Sequence, residues 1–118
     1  MQDINVIRDT YGVKIARKAL EMEAISLKPQ TPFQWASGYR MPIYNDNRRL
    51  LADPSARELV AEGFGALIGA LSIEVDDIAG TSTAGIPHAT TLADLLGKPL
   101  SYVRSSGKDH GLKNQIEG

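Results

Sequence analysis

The stretch Ile78-Ala-Gly-Thr-Ser-Thr-Ala-Gly-Ile-Pro-His-Ala-Thr-Thr-Leu-Ala-Asp-Leu-Leu-Gly97, followed by Leu100-Ser-Tyr-Val103, decides the fold. Ile78 and Ala79 read as a strand that breaks at Gly80. Gly80 to Gly85 is a loop of small, polar residues. Ile86 to Leu96 reads as a helix, with Pro87 in its first turn and Gly97 just past its end; proline lacks an N–H that the first turn leaves unpaired, and glycine tolerates the left-handed stop. Leu100 to Val103 is a second short apolar run. Strand, loop, helix, strand is a βαβ unit, whose strands run parallel. The fold class is α/β.

Working outward, Asp53-Pro54 opens another helix: Asp53 caps it and Pro54 fits its first position. Leu59, Val60, Phe64, Leu67, Ile68 and Leu71 form its expected buried stripe. Gly63, Gly65 and Gly69 each cost about 1 kcal/mol of helix propensity relative to alanine, and mark places for close packing. Residues 33–49 are turn-rich and aromatic, and read as strand pieces joined at Ser37-Gly38. Ala24 to Leu27 is a short strand ahead of Pro29 and Pro32. Val13 to Met22 is an amphipathic helix with Ile15, Ala16, Ala19 and Leu20 at helical spacing. Only about two core strands are visible, which is few for a doubly wound sheet.

The bulk numbers set limits. The chain has 118 residues, enough for one small domain. Thirteen basic and 14 acidic side chains leave a net charge of -1, so there is no global field for nucleic acid or membrane. Any anion recognition must be local. The absence of cysteine excludes disulfides, thiolate metal sites and a thiol nucleophile. The N-terminus has no secretory pattern, no run approaches a membrane span, and a cytoplasmic location is expected.

Three pieces carry chemistry. The loop with Thr81, Ser82, Thr83 and Ala84 joins a strand end to a helix start; its N–H groups and hydroxyls suit an anion, although such loops are also plain connections. Arg104, Lys108 and His110 place three cations within seven positions of a glycine-containing loop. Arginine offers a fork and lysine a point charge to a diphosphate; the competing reading is a solvated charged loop. Third, Ser37-Gly38 supplies a turn with accessible donors, and Tyr44 or Phe33 could stack on a planar ring, unless they are core. Trp35 reads as packing and His88 as a surface or packing residue. Asp76 and Asp77 precede the strand residues, so they belong to a turn ahead of it.

Together these pieces resemble the orotate phosphoribosyltransferase family. Ser37-Gly38, Pro42-Ile-Tyr44 and Asp46-Asn-Arg48 are similar to its Ser-Gly…Pro-x-Tyr-x-Asp-x-Arg region. Ile78 to Pro87 is similar to its first diphosphate loop. Tyr102-Val-Arg104, Lys108, His110-Gly111 and Ile116-Glu-Gly118 resemble its catalytic loop. The resemblance implies a partial type I phosphoribosyltransferase-like fold, a parallel sheet core with flanking helices. Residues 1–50 would form an N-terminal hood with the orotate side, and residues 51–118 an incomplete core with the catalytic loop 104–118. It implies transfer of a phosphoribosyl group from phosphoribosyl diphosphate to orotate. Mg²⁺ would be bound mainly through substrate phosphates, with no protein ligand. Arg104, Lys108 and His110 would be catalytic and, with Thr81, Ser82, Thr83 and Ala84, bind diphosphate. Ser37, Gly38, Tyr44 and Asn45 would lie on the orotate side. A homodimer is implied, with loop 104–118 serving the neighbouring subunit as a mobile lid.

Three positions depart from some members: Ala84 replaces a lysine of the diphosphate loop, Ala36 a lysine before Ser-Gly, and Ser105 a second base. The ribose-phosphate signature expected after Gly118 is absent, which implies a partial chain, weak or inactive alone. The alternative is a non-catalytic module of the same fold that senses phosphoribosyl diphosphate.

Overall fold

The computed structural model describes residues 3–106 and 114–118. The chain enters through helix α1, Ile4–Glu21. It starts earlier than the periodicity predicted, because the Asp3 carboxylate accepts the Asn5 N–H at 2.9 Å and caps it. Strand β1, Ile25–Leu27, pairs antiparallel with β4, Ile43–Asn45. Between them, β2, Phe33–Gln34, and β3, Arg40–Met41, form a hairpin. Its turn is closed by the Trp35 N–H on Tyr39 O and the Gly38 N–H on Trp35 O. Gly38 sits at φ +90°, where side chains rarely go. The Trp35 indole donates to Ile43 O at 3.0 Å, holding the hairpin against β4.

A 3-10 helix, Asn47–Ala52, leads into helix α2, Pro54–Ala70. Asp53 caps α2 as expected, accepting the Ser55 N–H and hydroxyl at 2.9 and 2.8 Å. The same carboxylate lies 2.7 Å from Lys18 Nζ, tying α1 to the start of α2. Helix α2 packs between α1 and a third helix, α3, Gly85–Leu96. That position corrects the predicted stripe. The buried residues of α2 are Ala56, Ala61, Gly63 and Ala70, while Phe64 and Leu71 are about half exposed. A helix held on two sides makes its closest contacts through small residues, and its large ones extend to the rims. Of the three glycines, Gly63 is the one against α1: a Cβ there would lie 3.4 Å from Tyr11 Cβ.

Strand β5, Ile78–Thr81, runs parallel to β6, Leu100–Val103, from Ile78 opposite Leu100 to Thr81 opposite Val103. Gly80 does not break β5 as the sequence suggested; it is a paired and buried strand residue. Gly97 closes α3 in the left-handed conformation. Strand β7, Ile116–Glu117, adds antiparallel to the far edge of β6. Two paired residues carry no alternation for a sequence reading to detect. The turn before β5 is fixed by Ser101, whose buried hydroxyl donates to Asp77 at 2.6 Å.

Two small cores result. Ala61, Ile78, Ala89, Leu92 and Ala93 join α2, β5 and α3. Ala19, Ala24, Leu50 and Ala56 join α1, the start of β1, the 3-10 helix and α2. The radius of gyration is 16.7 Å, against about 13–14 Å for a compact chain of this length, so the molecule is flattened. Among the described residues, no helix is long and apolar enough to cross a membrane.

The Lys18 ammonium, then the Ser55 hydroxyl and N–H, hold the Asp53 carboxyl down at about 2 from its ordinary 3.8. A depressed carboxyl contributes stability above its unfolded value and loses it as pH falls through its folded one. Replacing Asp53 by Asn is therefore expected to lower the thermal midpoint at pH 6. The gap from the unsubstituted chain should shrink between pH 4 and pH 2, as followed by circular dichroism melts.

Candidate functional site

Both parallel strands end on the same side of the sheet, and the predicted anion-binding residues follow those ends. After Thr81, residues 82–84 form a turn into α3. The Ser82 N–H donates to Val103 O at 2.8 Å. This bond fixes the first residue of the turn to the last residue of β6, immediately before Arg104. Thr81, Thr83 and Ala84 are exposed and Ser82 is half-buried. Ala84 occupies the cap position of α3 and no side chain caps the helix, so its first-turn N–H groups face the turn unsatisfied by a side-chain oxygen. The peptide Ser82–Thr83 is cis.

This geometry depends on two glycines. A Cβ on Gly80 would lie 2.9 Å from Ala89 Cβ and 3.0 Å from both Gly85 O and Ile86 Cα. A Cβ on Gly85 would lie 3.0 Å from Thr81 Oγ1. Sequence reading treated both as ends of a loop; the close approach of the end of β5 to the start of α3, which both permit, is visible only once the helix is placed.

Arg104 is held at the base of the predicted catalytic loop. Its N–H donates to Gln115 O at 2.8 Å, and its own carbonyl accepts from Gln115 Nε2 at 3.3 Å. Its Nε lies 3.5 Å from Glu117 Oε1, and its Nη2 donates to the Tyr102 hydroxyl at 3.4 Å. The structure thus brings Arg104 beside residues 82–84. Lys108 and His110, and the lid expected around them, lie outside the described residues.

On the side predicted for orotate, Tyr44 lines a groove and Ser37, Gly38 and Asn45 stand away from it. An open groove of about 610 Å³ is lined by Ile25, Lys28, Phe33, Tyr44, Asp46 and Arg49, among others. The Phe33 and Tyr44 rings meet with centroids 5.5 Å apart. Ser37, Gly38 and Asn45 are not among the walls; Ser37 and Gly38 sit in the exposed turn of the β2–β3 hairpin. Sequence reading missed the groove's cations. Lys28 Nζ stands 5.3 Å over the Phe33 ring, and no ion pair among the described residues involves it. Arg49 lies 3.9 Å from Glu23. Asp46 is engaged by Arg48, whose Nε and Nη2 donate at 2.7 and 3.0 Å and hold its carboxyl below the usual range. Nothing local in the sequence links Lys28 to Arg49; the pairing of β1 with β4 brings them together.

The groove side and the strand-end site meet at one hydrogen bond. His88 Nε2 lies 3.2 Å from Asn47 O, and since a carbonyl only accepts, Nε2 carries the proton. Asp76 and Asp77 stand at the other end of β5, about 13 Å of strand away from the turn.

No protein-family model matches the chain. Among curated proteins, the orotate phosphoribosyltransferase of Cutibacterium acnes is 53% identical over 115 residues, covering 98% of this chain and 53% of its own length. That of Enterococcus faecalis is 54% identical over 105 residues, covering 89% of this chain and 50% of its own length. Among solved structures, the orotate phosphoribosyltransferase of Aeropyrum pernix superposes with a TM-score of 0.72 at 34% identity, over 87% of this chain and 56% of that one. The fold, with its βαβ unit and strand-end turn, is a partial type I phosphoribosyltransferase fold. Within that class the chain is similar to orotate phosphoribosyltransferases along nearly all of its own length. It spans about half the length of the curated relatives it matches.

Gly80→Ala is expected to destabilise the chain by about 1–3 kcal/mol, the usual range for an added methyl in a packed site. Urea unfolding followed by circular dichroism measures it, and Gly12→Ala, where no atom lies within 4 Å of the new Cβ, serves as the control.

Proposed function

We propose that this chain serves the transfer of a phosphoribosyl group from phosphoribosyl diphosphate to orotate, giving orotidine 5′-monophosphate and diphosphate. The observation that carries the reading is the bond from the Ser82 N–H to Val103 O, which sets the turn at 82–84 beside Arg104 at the strand ends. Ligand sites of open α/β sheets lie in that position. The curated relatives bear the name of this activity.

In the reaction, a ring nitrogen of orotate gives up its proton to solvent or to the departing diphosphate and bonds to C1 of the ribose, while the bond from C1 to the diphosphate oxygen breaks. The electron pair leaves with the diphosphate, and positive charge develops on the sugar. Arg104 and the N–H groups of residues 83–85 would act on the negative charge that grows there, and such fixed donors stabilise the transition state most. Lys108 and His110 are assigned the same diphosphate, with Lys108 the main catalytic residue. Thr81, Ser82 and Thr83 add hydroxyls.

The groove beside Tyr44 and Phe33 suits a flat, anionic ring: the aromatics offer faces, and Lys28 and Arg49 offer charge. Lys28 and Arg49 supply cations that Ala36 does not. Mg²⁺ fits best as an ion carried on the substrate phosphates; the acidic pair Asp76 and Asp77 stands at the opposite end of β5. When bound, it would neutralise part of the diphosphate charge. A homodimer in which the part of loop 104–118 that carries Lys108 and His110 reaches the neighbouring subunit's diphosphate, while Arg104 stays beside its own chain's turn, and a cytoplasmic location complete the proposal.

Two measurements test it. By calorimetry, the chain is expected to bind phosphoribosyl diphosphate, and Arg104→Ala to weaken binding on the order of ten- to a hundred-fold, the scale of a charge-assisted fork. By the absorbance of orotate, the 118-residue chain alone is expected to show little turnover, whereas the chain continued past Gly118 with a relative's sequence consumes orotate. Lys108→Ala in the longer form should then cut the rate by about 10²-fold or more. Binding without orotate loss in the longer form would overturn transfer in favour of a sensor.

A further inference from the structure

We infer that Glu117 is a positioning residue for Arg104, fixing which edge of its guanidinium faces an incoming diphosphate. The inference rests on the diphosphate reading of this site. Arg104 lies two residues beyond Tyr102, so both side chains project from the same face of the sheet. Glu117 is the cross-strand partner of Tyr102, and directly opposed residues share a face. Tyr102, Arg104 and Glu117 therefore form one cluster.

The contacts in that cluster are directional. Glu117 Oε1 lies 3.5 Å from Nε, an ion pair between two buried atoms rather than a hydrogen bond. The Tyr102 ring lies beneath, its centroid 5.6 Å from the guanidinium carbon, and its hydroxyl accepts from Nη2. With Nε on Glu117, the face on the Tyr102 ring and one Nη2 hydrogen on the phenol, the Nη1 hydrogens and the second Nη2 hydrogen are the donors left for an external anion. Nη1 and Nη2 together form the end-on fork, whose parallel N–H bonds match a phosphate. The Arg104 side chain is 33% exposed although its Nε and the facing Glu117 Oε1 are buried, so part of it stays open to an external anion.

The backbone fixes the register that makes this possible. The bond from the Arg104 N–H to Gln115 O continues the β6–β7 ladder past its last paired residues. Gly118 has φ +100°, and a Cβ there would lie 2.5 Å from Leu100 O and 2.9 Å from Ser101 Cα. Glycine after Glu117 thus lets β7 press onto β6 closely enough for the carboxylate to reach Arg104. Mutual neutralisation has a second consequence. A lone arginine would attract any anion, whereas a paired one favours a ligand of high charge that offers a fork-shaped set of acceptors.

The test is calorimetric titration with inorganic diphosphate of the unsubstituted chain and the variants Glu117→Ala, Glu117→Gln, Arg104→Ala, Arg104→Lys and Glu117→Ala/Arg104→Lys, with circular dichroism melts to confirm folding. Glu117→Ala is expected to raise Kd roughly five- to ten-fold, and Glu117→Gln, which keeps an oxygen facing Nε, to stay within about three-fold. In the Arg104→Lys background, Glu117→Ala should cost nothing further, since a point charge has no edge to orient; a merely structural role would cost the same in both backgrounds. Tighter binding in both Glu117 variants would make Glu117 a competing counter-ion and overturn the inference. So would unchanged binding in both. If Glu117→Ala fails to fold, a Kd for Glu117→Gln raised as much as that of Arg104→Ala overturns it. Failure of the unsubstituted chain to bind, or binding indifferent to Arg104→Ala, overturns the diphosphate reading itself and the inference with it.

Discussion

At Gly80, strand β5 and helix α3 approach so closely that a single methyl group would meet Ala89, Gly85 and Ile86 at once. The close approach lets α3 begin directly above the end of the strand, after a turn of only three residues. A longer or wider connection would carry the first turn of the helix away from the sheet. The hydrogen bond from Ser82 to Val103 would then have no partner in reach, and Arg104 would lose its neighbour. The candidate site is thus a consequence of packing two backbones at near-contact distance. The small residues of the site, Gly80, Gly85 and Ala89, act by what they leave out.

The same economy of side-chain size runs through the molecule. The interior of α2 is built from Ala56, Ala61, Gly63 and Ala70, and the second core from Ala19, Ala24, Leu50 and Ala56. Small residues bring helices close and fix their geometry, but each buries little apolar area, and hydrophobic stabilisation scales with that area. Polar links therefore carry part of the organisation. Lys18 ties α1 to the cap of α2 through Asp53. Arg57 donates to Leu51 O, folding the 3-10 helix against α2. Ser101 anchors the start of β6 to the turn before β5 through Asp77. His88 joins the first turn of α3 to the segment that follows the groove.

Charge in this chain is organised by pairing. Net charge is near zero, yet the two candidate sites differ in how their cations are held. Arg104 is braced by Glu117 and Tyr102, whereas Lys28 stands over an aromatic face with no ion pair among the described residues. A braced arginine presents a defined edge, which suits a rigid anion with several acceptors. An ammonium over a ring keeps its charge and its freedom, which suits a ligand that must enter and leave.

What the sequence determined by itself is local chemistry with a short reach. Asp53-Pro54 marks a helix start because a side chain caps N–H groups two residues on. Gly97 marks a stop because it alone tolerates the left-handed turn there. The order of apolar runs from Ile78 to Val103 yields a parallel βαβ unit, and Tyr102, Arg104, Thr81 and Ser82 are legible as residues at strand ends. The tertiary structure decided what depends on contacts between distant segments. It gave α2 two packed faces in place of one stripe, paired Gly80 within a strand, and added β7 from two residues without a pattern. It also left Ser37, Gly38 and Asn45 off the groove walls, put Lys28 and Arg49 on them, and set Glu117 against Arg104. None of these could be read from spacing, because each is fixed by strand pairing and by the closeness of packed backbones, which join residues that no local periodicity connects.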